Sequence, residues 1–203
     1  MIKCVIFDLG GVIVPLDFQR GYRAMAPHCS YPGSEISGRI GATDLVQRFE
    51  TGRLSSEDFV QELCTTLELR INYDEFCEIW SAIFLKHSLV PESLLAALKQ
   101  KYRLLLLSNT NPIHFEMLRG AYPMLSHFDR FVLSYEVGAL KPSPEIYREA
   151  LKHAGCAPAE CFFADDIPAY VEGAKRAGID AVQFESPEQI EREMRSRGVE
   201  WQD

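Results

Sequence analysis

Five short apolar runs recur along this chain and alternate with helix-like segments: KCVIFD at 3–8, RLLLLS at 103–108, RFVLS at 130–134, CFFA at 161–164 and IDAVQF at 179–184. A run that is apolar without alternation is buried on both faces of a sheet, and parallel neighbours need long crossovers, usually helical. The pattern therefore predicts an α/β fold, a parallel sheet between helical layers. Helix starts are marked by Asn111-Pro112, Ser143-Pro144-Glu145 and Ser186-Pro187-Glu188-Gln189, each joining a capping residue to a first-turn proline. Gly155, Gly178 and Gly198 stand where helices should stop.

Between residues 16 and 89 the strand signal disappears. Phe76, Ile79, Trp80, Ile83 and Phe84 fall at i, i+3, i+4, i+7 and i+8 behind an Asn72…Glu75 cap signature, which predicts a continuous helical core stripe. The expected organisation is an α/β core formed by residues 1–15 and 90–203, with residues 16–89 inserted after the first strand as a helical unit. A chain of 203 residues suits one sizeable core with a smaller insertion better than two independent domains. There is no internal repeat and no low-complexity tract.

Charge excludes some partners. With 29 Asp and Glu against 21 Lys and Arg, the chain is a poor general binder of nucleic acid or anionic membrane, although a small anion in a local site is compatible with that balance. The leucine run at 104–107 is far too short to span a bilayer. Met1-Ile2-Lys3 leads directly into strand-like sequence without the apolar region of a signal peptide, so a cytoplasmic protein is expected, as monomer or homodimer. The six cysteines, Cys4, Cys29, Cys64, Cys77, Cys156 and Cys161, show no CxxC spacing and sit mostly among apolar neighbours. Reduced, buried thiols are expected rather than zinc ligands or disulfides.

Open parallel sheets place ligands beyond the C-terminal ends of their strands. At those ends stand Asp8, the Ser108-Asn109-Thr110-Asn111 turn and the Asp165-Asp166 pair. Asp8, at the edge of a core, could be a helix cap, a metal ligand or a nucleophile, since an unpaired charge there is costly to desolvate. Singly, Asp166 could cap a turn and Ser108 could satisfy local backbone groups. Jointly, three carboxylates in one crevice call for a divalent cation, most naturally magnesium given its preference for oxygen ligands. Lys141, braced by Pro142 and Pro144, would be surface charge in most proteins, but beside this cluster it could hold a tetrahedral anion. A carboxylate, a metal, a hydroxyl, an amide and an ammonium then surround one phosphoryl group.

FDLGGVIV, LLLSNTN, KPSPEIY and FFADD resemble, in order and spacing, the four motifs of the haloacid dehalogenase superfamily over nearly the whole chain. The insertion resembles that family's small helical cap. RFETGRLSSEDFVQELC and FCEIWSAIF are most similar to its α-glucose-1-phosphate phosphatase-like branch. The resemblance implies a Rossmann-like core and magnesium-dependent hydrolysis of a small phosphorylated metabolite, a sugar phosphate and in particular a sugar 1-phosphate. It makes Asp8 the nucleophile that forms an aspartyl-phosphate, and assigns magnesium to Asp8, the Gly10 carbonyl, Asp165 and Asp166. Ser108, Asn109 and Lys141 would bind phosphoryl oxygens, with the backbone N–H groups of Leu9 and Gly10.

Two departures qualify that assignment. Gly10 stands where such phosphatases carry a second aspartate for general acid-base catalysis, a contribution worth about 10²- to 10⁴-fold. Ile167-Pro168-Ala169-Tyr170 replaces the amide and hydroxyl residues common after the acidic pair, which puts support of the metal in doubt. A halide needs no protonation, so a metal-free 2-haloacid dehalogenase using Asp8, with Arg39 on the substrate carboxylate, is one alternative. A catalytically weakened binding or regulatory module is another. Contacts to the leaving group are expected from the turn around Arg48, Glu50, Gly52 and Arg53. His28, His87, His114, His127 and His153 match no catalytic position of the family.

Overall fold

The computed structural model describes residues 1–202. Five strands, β1 (Cys4–Phe7), β2 (Arg103–Ser108), β3 (Arg130–Leu133), β4 (Cys161–Asp165) and β5 (Asp180–Gln183), form one parallel sheet in the order β3-β2-β1-β4-β5. Val5 aligns with Leu104 on one side and Phe162 on the other. Successive side chains on a strand point to opposite faces. Val5, Phe7, Leu104, Leu106 and Phe162 accordingly join one apolar layer, with the helices Glu92–Lys99, Pro112–Ala121 and Pro187–Ser196. Cys4, Ile6, Leu105, Leu107 and Phe163 join the other, with Pro144–Ala154 and Pro168–Arg176. This is a Rossmann-like three-layer core, and strand order reverses at β1, between β2 and β4.

A third apolar cluster gathers residues from the helices Phe18–Met25, Gly33–Gly41, Leu45–Glu50, Ser56–Leu67 and Tyr73–Trp80. Phe59 is its centre, stacked on Phe49 at 4.1 Å between centroids and edge-on to Phe76 and Trp80. Ile113 joins this cluster from the α/β core. Asn72 and Glu75 form the reciprocal capping box that their spacing predicts. The expected stripe, however, is broken. The helix stops at Trp80, Ser81–Ile83 form a 3-10 turn and Phe84 is extended. The two chain segments joining insertion and core pair with each other here: Asp17 N–H donates to the Ile83 carbonyl, Leu85 N–H donates to the Pro15 carbonyl, and Leu16 bridges Phe84. Backbone pairing at the junction thus overrides helical periodicity.

Of the other start signals, Asn111 and Ser186 accept from backbone N–H groups as caps, while Ser143 occupies the cap position without a capping bond. All six cysteines are free thiols, but only Cys4 and Cys161 are buried. Cys29, Cys64 and Cys77 lie on the margin of the third cluster, where helix surfaces meet solvent. Among the described residues no helix is long and apolar enough to cross a membrane.

Candidate active site

Asp8 follows β1, its N–H donating to the Ala164 carbonyl on the neighbouring strand. The chain then turns tightly, with Leu9 accepting from the N–H groups of Ile13 and Val14. Gly11 has φ +81°, and a Cβ there would stand 2.4 Å from Asp166 Oδ2, so both conformation and space require glycine. This turn brings Asp8 into one cluster with Asp165 and Asp166, from the end of β4. One oxygen from each lies within 4.8 Å of the others.

Lys141 enters from the loop before Pro144–Ala154 and is 2% exposed. Its Nζ stands 2.8 Å from Asp8 Oδ1 and 2.5 Å from Asp165 Oδ2, and donates to the Leu107 carbonyl. Burial opposes the ammonium charge, yet Asp8 and Asp165 together hold its pKa above the ordinary lysine value. Burial likewise drives the Asp8 carboxyl up to about 7, with Lys141 opposing and Asp165 adding to the rise. Asn109 fixes the lysine's backbone: its Oδ1 accepts from Lys141 N–H at 2.8 Å and its Nδ2 donates to the Lys141 carbonyl at 3.1 Å. Ser108 is buried, and its hydroxyl has only a long contact of 3.4 Å to the Asn109 carbonyl. That hydroxyl is close to uncommitted.

The carboxylates fit a divalent cation. Asp165 is already engaged at both oxygens, Oδ1 by Ile167 N–H and Oδ2 by Lys141. Asp166 is different: its Oδ1 is buried without a hydrogen-bond partner, and burial, then Asp165, raises its pKa. An orphaned buried carboxylate oxygen beside two further carboxylates is the donor set that a hard, oxygen-seeking ion satisfies.

The structure brings Leu9, Gly10, Ser108 and Asn109 to one small cavity of about 80 Å³, whose wall also includes Leu16, Phe18, Glu50, Ile83 and His114. A second cavity of about 160 Å³ shares Phe18, Glu50, Ile83 and His114, and continues between helices of the insertion past Tyr22, Met25, Val46 and Trp80. Of the expected leaving-group contacts, Glu50 alone lines these cavities. Arg48 is drawn away by a two-pronged pairing with Glu62 at 3.1 and 3.2 Å, and Arg53 is exposed. Arg39 is taken by Glu35 and lies 3.3 Å above the Tyr31 ring, outside both cavities. Gly52 is a buttress instead: at φ +67°, its Cβ position lies 2.2 Å from the Tyr135 carbonyl oxygen of the core.

Sequence reasoning missed three supports. Ser134, fully buried at the end of β3, accepts from Thr110 N–H and donates to the Thr110 carbonyl, pinning the turn after Ser108. A hydroxyl closing the run RFVLS was its only signal. Tyr170, in the segment that departs from the family pattern, takes a hydrogen bond from Asn109 Nδ2 at 3.3 Å, and its ring lies 5.0 Å from Lys141 Nζ. Leu16 fills the space beside Gly10, its Cδ1 2.8 Å from where a Cβ would stand. His114 is structural: Nδ1 meets Asn111, Nε2 meets the Trp80 carbonyl, and burial lowers its pKa to about 4, leaving it neutral.

A parallel sheet with a carboxylate cluster and a buried lysine at its switch point, beneath a helical insertion after the first strand, is the architecture of a haloacid dehalogenase-like enzyme. Residues 2–178 match the family model of haloacid dehalogenase-like hydrolases, and the chain belongs to that family. It is 29% identical over 192 residues to D-ribitol-5-phosphate phosphatase of Bacteroides thetaiotaomicron, spanning 92% of this chain and 93% of that one. Among solved structures it is similar to a family enzyme from the same organism in complex with magnesium and inorganic phosphate, at TM-score 0.82 and 27% identity, with 92% and 96% of the chains covered. It shares its fold with the L-2-haloacid dehalogenase of Xanthobacter autotrophicus, at TM-score 0.63 and 22% identity, with 98% and 85% covered.

Proposed function

We propose that this protein is a magnesium-dependent phosphatase of a small phosphorylated metabolite, working through an aspartyl-phosphate on Asp8. The observation that carries the reading is the convergence of Asp8, Asp165 and Asp166 around a buried ammonium, with one Asp166 oxygen left unpartnered. Asp8, Asp165, Asp166 and the Gly10 carbonyl would hold magnesium, whose charge lets a phosphate dianion approach three carboxylates. Asp8 attacks phosphorus. Ser108 Oγ, the Lys141 ammonium and the backbone N–H groups of Leu9, Gly10 and Asn109 bind the equatorial oxygens as charge develops on them, while the Asn109 side-chain amide holds the Lys141 carbonyl and Tyr170. Residues 16–89 serve as the cap that sees the leaving group.

A sugar phosphate is the first substrate candidate, supported by the ribitol-phosphate relative. Within that class a sugar 1-phosphate leaves as a hemiacetal oxygen, less basic than an ordinary alkoxide, which suits a chain with Gly10 in place of an acid. A second reading, a monoester with an apolar or aromatic leaving group, is favoured by the cap walls of Tyr22, Met25, Val46 and Trp80. The dehalogenase alternative loses its carboxylate-binding arginine to Glu35. The retained cluster of Asp8, Lys141, Asp165 and Asp166 weighs against a binding module without turnover. Free thiols in all six cysteines fit a reducing cytoplasm.

The test compares turnover of a sugar 1-phosphate, a sugar 6-phosphate, phenyl phosphate and 2-chloropropionate, each with magnesium and after its removal by EDTA. Phosphate release that requires magnesium supports the reading. Metal-independent halide release would overturn it.

A further inference from the structure

We propose that Glu50, reaching from the insertion, is the proton donor to the leaving oxygen and takes the part that a side chain at position 10 cannot. The inference rests on the phosphatase reading and adds the group that completes its chemistry. The two cavities have Glu50, Phe18, Ile83 and His114 as common walls. One lobe is walled by the groups proposed to hold the phosphoryl, Leu9, Gly10, Ser108 and Asn109; the other is the apolar space of the cap. Among the described residues Glu50 carries the one carboxyl in the lining of either cavity, so a monoester with its phosphoryl group in the first and its leaving group toward the second would have its bridging oxygen on the wall that Glu50 shares.

The alternatives at the junction fail individually. Gly10 carries no side chain, and Leu16 occupies the volume into which one would grow. His114 spends both ring nitrogens on Asn111 and Trp80. Phe18 and Ile83 have no proton to give. Glu50 makes no hydrogen bond or ion pair among the described residues, so its carboxyl is unspent. Burial raises the pKa of the Tyr170 phenol, which is bonded to Asn109, and the Glu50 charge adds a smaller part to that rise. Burial raises the Glu50 pKa to about 7, so a substantial share holds its proton at neutral pH. The backbone that carries it is fixed: Thr51 Oγ1 donates to the Gln47 carbonyl at 2.7 Å, and Gly52 packs closely on the Tyr135 carbonyl, bracing the turn directly after Glu50.

The step balances. As an Asp8 oxygen bonds to phosphorus, the bond from phosphorus to the bridging oxygen breaks, that oxygen keeps the electron pair, and the Glu50 proton passes to it. Water then adds to phosphorus and gives its proton to the Glu50 carboxylate, releasing phosphate and restoring both side chains.

A leaving-group series separates this role from a structural one. Wild type, Glu50→Gln and Glu50→Ala are assayed with magnesium on 4-nitrophenyl, phenyl and alkyl phosphates, with melts to establish folding. Removing the acid should lower kcat/KM for phenyl and alkyl esters by about 10²- to 10⁴-fold and leave the nitrophenyl ester, which needs no proton, little changed. Added acetic acid should restore part of the phenyl phosphate activity of Glu50→Ala. Equal losses on every ester, or no loss on any, would overturn the role. If wild type hydrolyses none of them, the phosphatase reading itself fails, and the proposal with it.

Discussion

Removing the ammonium from between Asp8 and Asp165 is the perturbation with the largest consequence read from this structure. In Lys141→Met the methionine stem keeps most of the buried volume, but the charge 2.8 Å from Asp8 and 2.5 Å from Asp165 is gone. All three groups are buried, so no solvent screens what remains: two carboxylates with no compensating cation. Breaking a buried ion pair by removing one partner costs about 3–5 kcal/mol. For a chain of this size that lowers the melting temperature by about 6–20 °C. The deficit should shrink in two ways. Lowering the pH lets the carboxyls take up a proton, and added magnesium returns positive charge. Asp8→Asn combined with Lys141→Met should melt higher than Lys141→Met alone, because one of the stranded charges has been neutralised. Thermal melts of wild type and both variants at pH 8, with and without magnesium, measure this. A metal-free Lys141→Met that melts with wild type would refute the idea that charge neutralisation by Lys141 holds the cluster together.

Four further outcomes follow from the same geometry. A carboxyl whose folded pKa is raised contributes stability below its unfolded value and loses it as pH rises through the folded one. Asp8, at about 7 against an ordinary 3.8, should therefore make the metal-free protein less stable by a few kcal/mol at pH 8 than at pH 4. Magnesium binding at pH 7 should accordingly release protons, seen by calorimetry as heats that change with the ionisation enthalpy of the buffer; heats independent of buffer would contradict it. Gly11→Ala should weaken magnesium binding, since its Cβ would stand 2.4 Å from Asp166 Oδ2, and an unchanged affinity would show that Asp166 has room to move. Gly52→Ala meets a left-handed φ, costing about 1–2 kcal/mol, and the Tyr135 carbonyl oxygen at 2.2 Å. It should raise KM and lower kcat, whereas Gly38→Ala, with open space around its Cβ, should leave both unchanged.

The strands were legible because both faces of a parallel sheet are buried, which writes uninterrupted apolar runs such as LLLL into the chain. Asp8, Ser108, Asp165 and Asp166 were legible for a related reason: they are the polar residues at which those runs end. Lys141 was legible as a residue type beside two prolines, but its clamp by Asn109 joins positions distant in sequence, and no local pattern encodes it. Ser134, through its paired bonds to Thr110, and Tyr170, through its bond from Asn109, act at long range in sequence and leave equally little trace. The stripe from Phe76 to Phe84 misled because periodicity reports apolar faces and is blind to the backbone pairing at Leu16 and Phe84 that ends the helix. Arg48 and Arg53 misled for the converse reason. Sequence places them near Glu50, but Arg48 leaves the helix Leu45–Glu50 in another direction toward Glu62, Arg53 lies exposed beyond the end of that helix, and only Glu50 lines the cavities.

The central claim, that Asp8 carries the phosphoryl group, is tested most directly by acid-quenching the enzyme during turnover of phenyl phosphate with magnesium and weighing the peptide that contains Asp8. The account predicts a phosphoryl adduct on Asp8, absent from Asp8→Asn, and heavy oxygen from labelled water appearing in the released phosphate but not in the Asp8 carboxylate. Turnover without an adduct, with the label entering Asp8 itself, would contradict it.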